Sequence, residues 1–406
     1  MEALYSQLAF DIDGNASPVH AADALGSTSL KNHLVSNWAK ATVQENPMMK
    51  KFPGMKFHQD DESVFTNILA PAGSRAVSSY TVLRAGPTRK ILWDPQEIKA
   101  AIVTCGGLCP GLNSVIRDVA IGLYNNYGVR TPGKVLGIRF GYNGFDTEKY
   151  PPVILTPAVV EEIHQKGGSI LGAGRGGFKP DFIIDRCVAL GINHLYVVGG
   201  DGTQWAADVL FQVVKERGLK FAIIGIPKTI DNDILFFDRS FGFHSAVDAA
   251  VNAIKSGFNE ASSCFNGVGI VKLMGRDSGF VARNAALASN LSDAVLIPEV
   301  DFDFDGPGGL LAHVEYRLKR KGHCVVVVAE GAGQRFCSTG KHDTTGHTVY
   351  GDIGVLLRDR VNQHLQKTCG GRCFFIDPAY MIRSVPATHV DNVYGLVPFP
   401  SLPVAA

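Results

Sequence analysis

Short apolar stretches alternate with amphipathic ones along most of the chain, beginning near Ile98. Residues 99–104 predict a buried strand, and the apolar spacing after them predicts a helix over residues 113–125. Strands that alternate with helices predict a parallel, doubly wound α/β fold, whose ligands bind beyond the carboxyl ends of the strands. The remaining predicted elements are strands at residues 195–198, 221–226, 267–273 and 324–329 and a helix at 204–217.

Glycine divides the chain into two parts. Residues 1–95 contain 5 of the 45 glycines and are predicted to form an N-terminal extension. The other glycines gather mainly after the predicted strands. Because glycine lets the backbone turn sharply or approach a ligand closely, these clusters indicate ligand-binding loops.

The composition excludes several classes of protein. A formal net charge of +1 argues against binding to nucleic acid or to a membrane surface through a basic field. The longest apolar run, residues 324–329, is too short to span a bilayer. The eight cysteines lack the spacing of a disulfide scaffold or a complete zinc site, and residues 1–40 resemble neither a secretory signal nor a transit peptide. We therefore expect free thiols and a cytoplasmic location, with the plastid as the alternative.

Two glycine-rich loops have the composition of phosphate-binding loops. Residues 105–113 lie between a predicted strand and a predicted helix, where small residues and the helix N-terminus suit an anion. Residues 168–177 place Arg175 among glycines, and an arginine in such a loop suits a phosphate. The alternatives are a tight structural turn for the first loop and a mobile loop with a solvated arginine for the second.

A carboxylate follows the next predicted strand, in the segment Gly199-Gly200-Asp201-Gly202-Thr203. Asp201 can hold Mg²⁺ beside a triphosphate, since magnesium prefers one or two carboxylates together with phosphate oxygens and water. The flanking glycines leave room for a nucleotide. The alternative is that Asp201 caps the helix that follows.

The most specific segment is Pro227-Lys228-Thr229-Ile230-Asp231-Asn232-Asp233. In an extended conformation residues two apart face the same side, so Thr229, Asp231 and Asp233 are predicted to share one face. Two neighbouring carboxylates raise the pKa of one of them, which produces a usable general base. Lys228 adds a cation where phosphate charge moves. A purely structural turn is the alternative.

Three later segments offer groups that suit a sugar phosphate. Residues 272–276 end in Arg276, Glu330 follows a predicted strand, and residues 377–383 contain Tyr380 and Arg383. Arginine binds phosphate through two parallel hydrogen bonds. Taken alone, each segment is equally compatible with a structural role.

Together these segments resemble ATP-dependent 6-phosphofructokinases, most closely the plant and protist branch. The resemblance runs in order from about Ile98 to Arg383 and begins slightly upstream, at residues 84–87. It implies two Rossmann-like domains, at residues 96–240 for ATP and 241–406 for fructose 6-phosphate, with the active site in the cleft between them. It also implies Mg²⁺ as cofactor and a homotetrameric assembly.

The resemblance assigns roles to individual residues. Asp231 would be the general base that takes the proton of the sugar 1-hydroxyl, assisted by Lys228, Thr229 and Asp233, and Asp201 would ligate Mg²⁺. The residues that would bind ATP are Gly107, Arg175, Gly176, Gly200, Asp201, Gly202 and Thr203. Those that would bind fructose 6-phosphate are Thr229, Ile230, Asp231, Met274, Gly275, Arg276, Glu330, Tyr380, Met381, Ile382 and Arg383.

Gly202 and Lys228 point to different phosphoryl donors. Pyrophosphate-dependent relatives typically have Asp where this chain has Gly202, and a carboxylate there would repel the α-phosphate of ATP. Lys228 is typical of pyrophosphate users, but the plant and protist branch combines Gly with this Lys. Because an empty α-phosphate space is the direct steric requirement, we expect ATP as the donor.

Three departures from the family pattern bear on activity. Phe374 replaces a basic residue that typically contacts the 6-phosphate, and Gly267 replaces an arginine of bacterial members. Residues 393–404 predict an apolar, proline-broken tail in place of a family helix, so the second domain is expected to be incomplete. The alternatives are therefore a non-catalytic or regulatory relative and a pyrophosphate-dependent enzyme. A lipid or NAD kinase, which also uses Gly-Gly-Asp-Gly-Thr, is not expected to carry residues 227–233.

Overall fold

The computed structural model describes residues 44–54, 56–57, 63–65, 81–83, 89–91, 93–234, 239–338, 340–341 and 349–396. They fall into two compact units. The first comprises the described residues up to Ile98 together with 122–131, and the second comprises 99–121 and the described residues from 132 onward. Residues 84–87 and 397–404, which the sequence analysis singled out, lie outside the described residues.

The first unit contains two small antiparallel sheets. Its strands are β1 (Gln44–Glu45), β2 (Ser63–Phe65), β3 (Thr81–Leu83) and β4 (Lys90–Ile91), which pair as β1 with β4 and β2 with β3. A one-turn helix, α1 (Met48–Lys51), follows β1. Met48, Ile91 and Trp93 are almost fully buried, so apolar burial stabilises this part of the chain.

The larger sheet of the second unit has five strands in the order β7-β6-β5-β8-β9. The strands are β5 (Ala100–Thr104), β6 (Val135–Ile138), β7 (Val153–Ile154), β8 (His194–Gly199) and β9 (Ala222–Pro227). All neighbours are parallel except β6 and β7. The helices in this part of the chain are α2 (Leu112–Asn125), α3 (Pro157–Val160), α4 (Pro180–Ala189) and α5 (Asp201–Glu216). The strand order reverses between β5 and β8, and in such sheets the crevice at this point binds ligands.

Apolar side chains cover both faces of this sheet. Ala101 and Val103 pack in one core with Ile184 of α4 and Leu210 of α5. The remaining residues of β5, whose side chains face the opposite side of the sheet, are also fully buried. Burial on both faces explains why β5 has a continuous apolar sequence rather than an alternating one.

A second, wholly parallel sheet has four strands in the order β11-β12-β10-β13. The strands are β10 (Gly267–Leu273), β11 (Ala294–Leu296), β12 (His323–Ala329) and β13 (Arg372–Ile376). The helices in this part of the chain are α6 (Phe243–Ser262), α7 (Phe280–Ser289), α8 (Leu310–Lys321), α9 (Ile353–Lys367), α10 (Ala379–Arg383) and α11 (His389–Leu396).

The second sheet also lies between two helical layers. Ile270 and Val326 pack with Val314 of α8 and Leu357 of α9 on one face. The alternate residues of β10 and β12 pack with α6 and α7 on the other face. The predicted α/β fold with parallel sheets is confirmed for both halves of this unit.

Helix α5 begins earlier than its apolar spacing predicts, at Asp201 rather than Gln204. The amides of Thr203 and Gln204 both donate to the Gly200 carbonyl, which closes the first turn. An acidic side chain in a first turn is favoured by the positive end of the helix dipole. The predicted loop around Asp201 is therefore the start of a helix.

Residues 393–396, predicted to belong to an irregular tail, form the last part of α11. The helix is held by polar contacts that apolar periodicity does not reveal. Asp391 is fully buried and accepts hydrogen bonds from the amide of Ser245 at 2.7 Å and from its hydroxyl at 2.5 Å. The Ser114 hydroxyl of α2 donates to Asn392 at 2.6 Å. The helix is thus an integral part of the second unit.

None of the described helices is both long and apolar enough to cross a bilayer. The eight cysteines are all free thiols. Among the described residues, no group of three or more His, Cys, Asp or Glu side chains is placed to hold a metal ion.

Asp391→Ala is expected to lower the free energy of unfolding by about 1–3 kcal/mol, because the buried amide of Ser245 would lose its acceptor. His389→Ala is the matched control, since His389 is exposed on the same helix. Urea denaturation followed by circular dichroism measures both variants. Equal stability of the Asp391→Ala variant and the unchanged protein would contradict the anchoring role of Asp391.

Candidate active site

Most of the predicted site residues lie at the carboxyl ends of strands from both sheets. The first sheet contributes the segments after β5, β8 and β9, and the second contributes those after β10, β12 and β13. Both sheets belong to the same compact unit. This arrangement allows residues that are far apart in sequence to meet.

The loop after β5 brings such residues together. Gly106 has a φ of 82° and its amide donates to the Gly174 carbonyl at 2.9 Å, so the two glycine-rich loops lie side by side. A β-carbon on Gly106 would lie 3.9 Å from Nζ of Lys228, and one on Gly107 would lie 3.5 Å from Nη1 of Arg383. The glycine predicted to bind ATP therefore lies beside a cation predicted to bind the sugar phosphate.

The second glycine-rich loop presents Arg175 at the surface. Gly174 forms a parallel bridge with Cys105, which holds the loop against the end of β5. The next glycine, Gly176, has a φ of 75°, a conformation that favours glycine. Arg175 is thus an exposed cation beside the end of the first sheet.

Asp201 is exposed in the first turn of α5. It follows the N-cap residue, Gly200, so the alternative that Asp201 caps this helix is wrong. A β-carbon on Gly202 would meet no heavy atom within 4 Å. The backbone at Gly202 is therefore not covered by other parts of the described chain.

The residues at this helix start fit Mg²⁺ bound together with phosphate. A single exposed carboxylate suits a magnesium ion that takes its other ligands from phosphate oxygens and water. The first amides of a helix and its dipole also favour an anion. Asp201 would hold the metal, and the backbone of Gly202 and Thr203 would face the phosphates.

The segment after β9 is a turn, not the extended stretch that the sequence analysis predicted. Asn232 has a φ of 58°, and its side chain accepts a hydrogen bond from the Ser240 amide at 2.6 Å. The Thr229 hydroxyl donates to Asp233 at 2.6 Å and accepts from the Asp231 amide at 3.1 Å. A hydroxyl bridge, rather than strand alternation, therefore brings these predicted residues together.

Asp231 carries the most perturbed carboxylate of this turn. Its Oδ1 is shielded from solvent and has no hydrogen-bond partner among the described residues. Burial raises the pKa of Asp231 to about 7; the charges of Asp233 and Glu330 add to the rise, whereas Lys228 and Arg276 oppose it. A pKa near neutrality is the property that general-base catalysis requires of a carboxylate.

The second sheet contributes a backbone junction around Arg276. The Gly331 amide donates to the Gly275 carbonyl at 2.9 Å, and a β-carbon on Gly331 would overlap the Arg276 carbonyl. Only glycine fits this close approach. Burial raises the pKa of Glu330, and Arg276 and Lys272 oppose the rise. The ends of β10 and β12 thus place opposite charges side by side.

Helix α10 separates its predicted residues into two groups. Tyr380 and Met381 are exposed, and the guanidinium carbon of Arg383 lies 4.6 Å from the centre of the Tyr380 ring. Nε of Arg383 is shielded and has no hydrogen-bond partner among the described residues. The Ile382 side chain packs in the core, as do those of Ile230 and Met274 at least in part. A ligand contact of Ile230 or Ile382 would come mainly from the backbone, whereas the Met274 side chain is partly exposed.

The two departures Phe374 and Gly267 both lie within strands. Phe374 is in the middle of β13 opposite Gly269, and the Arg372 guanidinium lies 5.1 Å from the centre of its ring. Gly267 opens β10, where a β-carbon would overlap the Ala261 carbonyl. The local backbone therefore has no space for an arginine at residue 267.

Sequence reasoning missed residues that support the site. The hydroxyl of Ser278 donates to the Asp231 carbonyl at 3.2 Å. The Arg276 guanidinium lies 4.9 Å from the centre of the Tyr350 ring, whose hydroxyl donates to Asp277 at 2.8 Å. Tyr350 follows neither a predicted strand nor a glycine cluster, so the pattern contained no signal for it.

Comparison with known proteins gives a consistent result. Residues 99–397 match the family model described as Phosphofructokinase. The ATP-dependent 6-phosphofructokinase of Borreliella burgdorferi is 46% identical over 321 residues, which cover 77% of this chain and 71% of that protein. ATP-dependent 6-phosphofructokinase 7 of Arabidopsis thaliana is 44% identical over 357 residues, or 87% of this chain and 72% of the relative.

Solved structures show the same fold. The crystal structure of a pyrophosphate-dependent phosphofructokinase from Nitrosospira multiformis matches with a TM-score of 0.62, covering 75% of each chain. Its sequence is 22% identical, so this likeness bears on the fold and not on the phosphoryl donor.

Asp231→Asn is expected to alter how stability depends on pH. A pKa raised from 3.8 to about 7 means that the folded protein keeps a proton that the unfolded chain releases at lower pH. Protonation of Asp231 therefore stabilises the unchanged protein fully below pH 3.8, and this stabilisation is lost as the pH rises to about 7. The variant lacks this titrating group, so the unchanged protein loses stability relative to it over the same pH interval. Melting temperatures at several pH values measure the difference. Asp208→Asn, at an exposed position of α5, is the control, and a pH-independent difference for Asp231→Asn would contradict the raised pKa.

Proposed function

The chain belongs to the phosphofructokinase family, and we propose that it transfers the γ-phosphoryl group of ATP to the 1-hydroxyl of fructose 6-phosphate, the committed step of glycolysis. One observation carries the proposal. Asp231 keeps a buried, unpartnered carboxylate oxygen under the influence of Lys228 and Arg276. A sugar hydroxyl would donate the missing hydrogen bond. Relatives at 44–46% identity that are named for this activity support it.

In the proposed reaction, Asp231 accepts the proton of the 1-hydroxyl as its oxygen attacks the γ-phosphorus. The bond between that phosphorus and the bridging oxygen breaks, and ADP leaves. Lys228 keeps positive charge near the moving phosphoryl group, and charge stabilisation is the main requirement of this chemistry. Thr229 and Asp233 hold the turn that presents Asp231.

The loops of the first sheet would hold ATP. The residues proposed to bind ATP lie near the ends of β5 and β8; they are Gly107, Arg175, Gly176, Gly200, Gly202 and Thr203. When bound at Asp201, Mg²⁺ neutralises phosphate charge and helps to orient the triphosphate. Asp201 itself is fixed by its place in the first turn of α5.

The second sheet would hold fructose 6-phosphate. Arg276 and Arg383 supply positive charge for its phosphate, and Glu330 supplies an acceptor for a sugar hydroxyl. This part of the site would be completed by Thr229, Gly275, Met274, Tyr380 and Met381, together with the backbone of Ile230 and Ile382.

We include a cytosolic location and a homotetramer in the proposal. A chloroplastic relative from Arabidopsis thaliana, 47% identical over 312 residues, makes the plastid the alternative location. Cell fractionation distinguishes the two locations, and light scattering during size-exclusion chromatography gives the assembly. Recovery of the protein in the plastid fraction would contradict the cytosolic location, and the mass of a monomer would contradict the homotetramer.

Asp231→Ala is expected to lower kcat by about 10²–10⁴-fold with a much smaller change in KM, because a general base acts mainly in the transition state. The assay follows fructose 1,6-bisphosphate formed with ATP and Mg²⁺. Unchanged turnover would contradict the general-base role of Asp231. A folded but inactive unchanged protein would instead favour the non-catalytic alternative, and activity with pyrophosphate alone would favour the pyrophosphate-dependent one.

Gly202→Asp is expected to lower kcat/KM for ATP by about tenfold or more, because the new carboxylate would enter open space that the α-phosphate needs. Gly308→Asp is the matched control, since that glycine also borders open space and lies outside the proposed site. Steady-state kinetics with varied ATP measure both variants. An equal effect of the two substitutions would remove Gly202 as the determinant of donor choice.

A further inference from the structure

Lys272 lies near the carboxyl end of β10, between the two other strand ends that carry predicted sugar-phosphate residues. β10 pairs with β12 on one side and with β13 on the other. The Lys272 ammonium group lies 2.7 Å from Asp377, which follows β13, and 3.1 Å from Asp352, which precedes α9. The Lys272 side chain is only 14% exposed. These contacts therefore tie three elements together at one partly buried cation.

Each of the two carboxylates also lies beside the start of a helix. Asp352 accepts hydrogen bonds from the amides of Gly354 and Val355 at 3.1 and 3.2 Å, which caps α9. Asp377 accepts from the amide of Ala379 at 3.2 Å, at the first residue of α10. Lys272 thus contacts the two acidic side chains that accept hydrogen bonds from the first turns of both helices.

These two helix starts lead directly to the sugar-phosphate side of the site. Helix α10 carries Tyr380 and ends at Arg383, whose guanidinium lies near Gly107. Two residues before Asp352, the ring of Tyr350 contacts the guanidinium of Arg276. Both arginines proposed to bind the phosphate therefore depend on segments that Lys272 holds in place.

We infer that Lys272 is a positioning residue for fructose 6-phosphate binding, acting through Asp377 on Arg383 and through Asp352 on the Tyr350–Arg276 contact. The inference rests on the proposed function. Without the ammonium group, Asp377 and Asp352 would repel each other with no cation between them, and the two helix starts would move apart. No substrate contact by Lys272 itself is required.

Lys272→Met tests the inference, because it keeps an extended apolar stem and removes the charge. We expect KM for fructose 6-phosphate to rise by about tenfold, with KM for ATP and kcat within about threefold of the unchanged protein. Lys272→Arg keeps the charge and is expected to restore the sugar-phosphate KM to within about threefold. A residue with only a structural role would change the melting temperature without this separation of the two substrates.

Lys319→Met is the matched control, since Lys319 forms a surface ion pair with Glu315 and is 70% exposed. It is expected to leave both KM values unchanged. If Lys272→Met does not fold, Asp377→Asn replaces it, and the same selective rise in KM for fructose 6-phosphate is expected. An equal rise in KM for ATP and for fructose 6-phosphate, or no rise in KM for fructose 6-phosphate in the folded variant, would overturn the inference.

Calorimetric titration with fructose 6-phosphate separates this inference from the proposed function, because binding does not require turnover. An unchanged protein that binds the sugar phosphate but does not phosphorylate it would overturn the proposed reaction alone. Weaker binding by Lys272→Met would then still support the positioning role. Binding of equal strength by both proteins would overturn that role, whatever the activity.

Discussion

A carboxylate with one buried oxygen that has no hydrogen-bond partner in the described part of the chain, that of Asp231, is the constraint around which this site is arranged. Removing the charge of Asp231 from water is unfavourable, and its pKa rises to about 7 for that reason. The nearby cations Lys228 and Arg276 offset part of this cost. The turn keeps the group in place through the left-handed conformation of Asn232 and the Thr229 hydroxyl. Such a group is stabilised either by taking up a proton or by a donor that forms a hydrogen bond with it.

The parallel strands of the two sheets explain how the charges around Asp231 are assembled. All strands of a parallel sheet end at the same edge, so loops distant in sequence meet there. The first sheet supplies open glycine loops and a helix start that suit phosphate, and the second supplies Arg276, Glu330 and Arg383. Close backbone contacts, such as that of Gly331 with the Arg276 carbonyl, hold these loops without intervening side chains. Lys272 holds neighbouring segments together through its ion pairs with Asp352 and Asp377.

The strands and most helices could be predicted because burial on both faces leaves a clear apolar signal. The errors arose where polar contacts decide the conformation. The turn at Asp231 depends on Asn232 and Ser240, which are eight residues apart. Helix α11 depends on Asp391 contacting Ser245 across 146 residues. A local pattern of apolar residues contains no information about contacts of either kind.

The sequence by itself determined the α/β class, the glycine loops, the family and the candidate site residues, since these are properties of local pattern and residue type. Tertiary structure decided which of those residues meet. It placed Gly107 beside Arg383, moved Ile382 into the core, and joined Lys272 to Asp352 and Asp377. The physical reason is that burial, charge compensation and hydrogen bonding between distant segments exist only once the strand ends have been brought to a common edge.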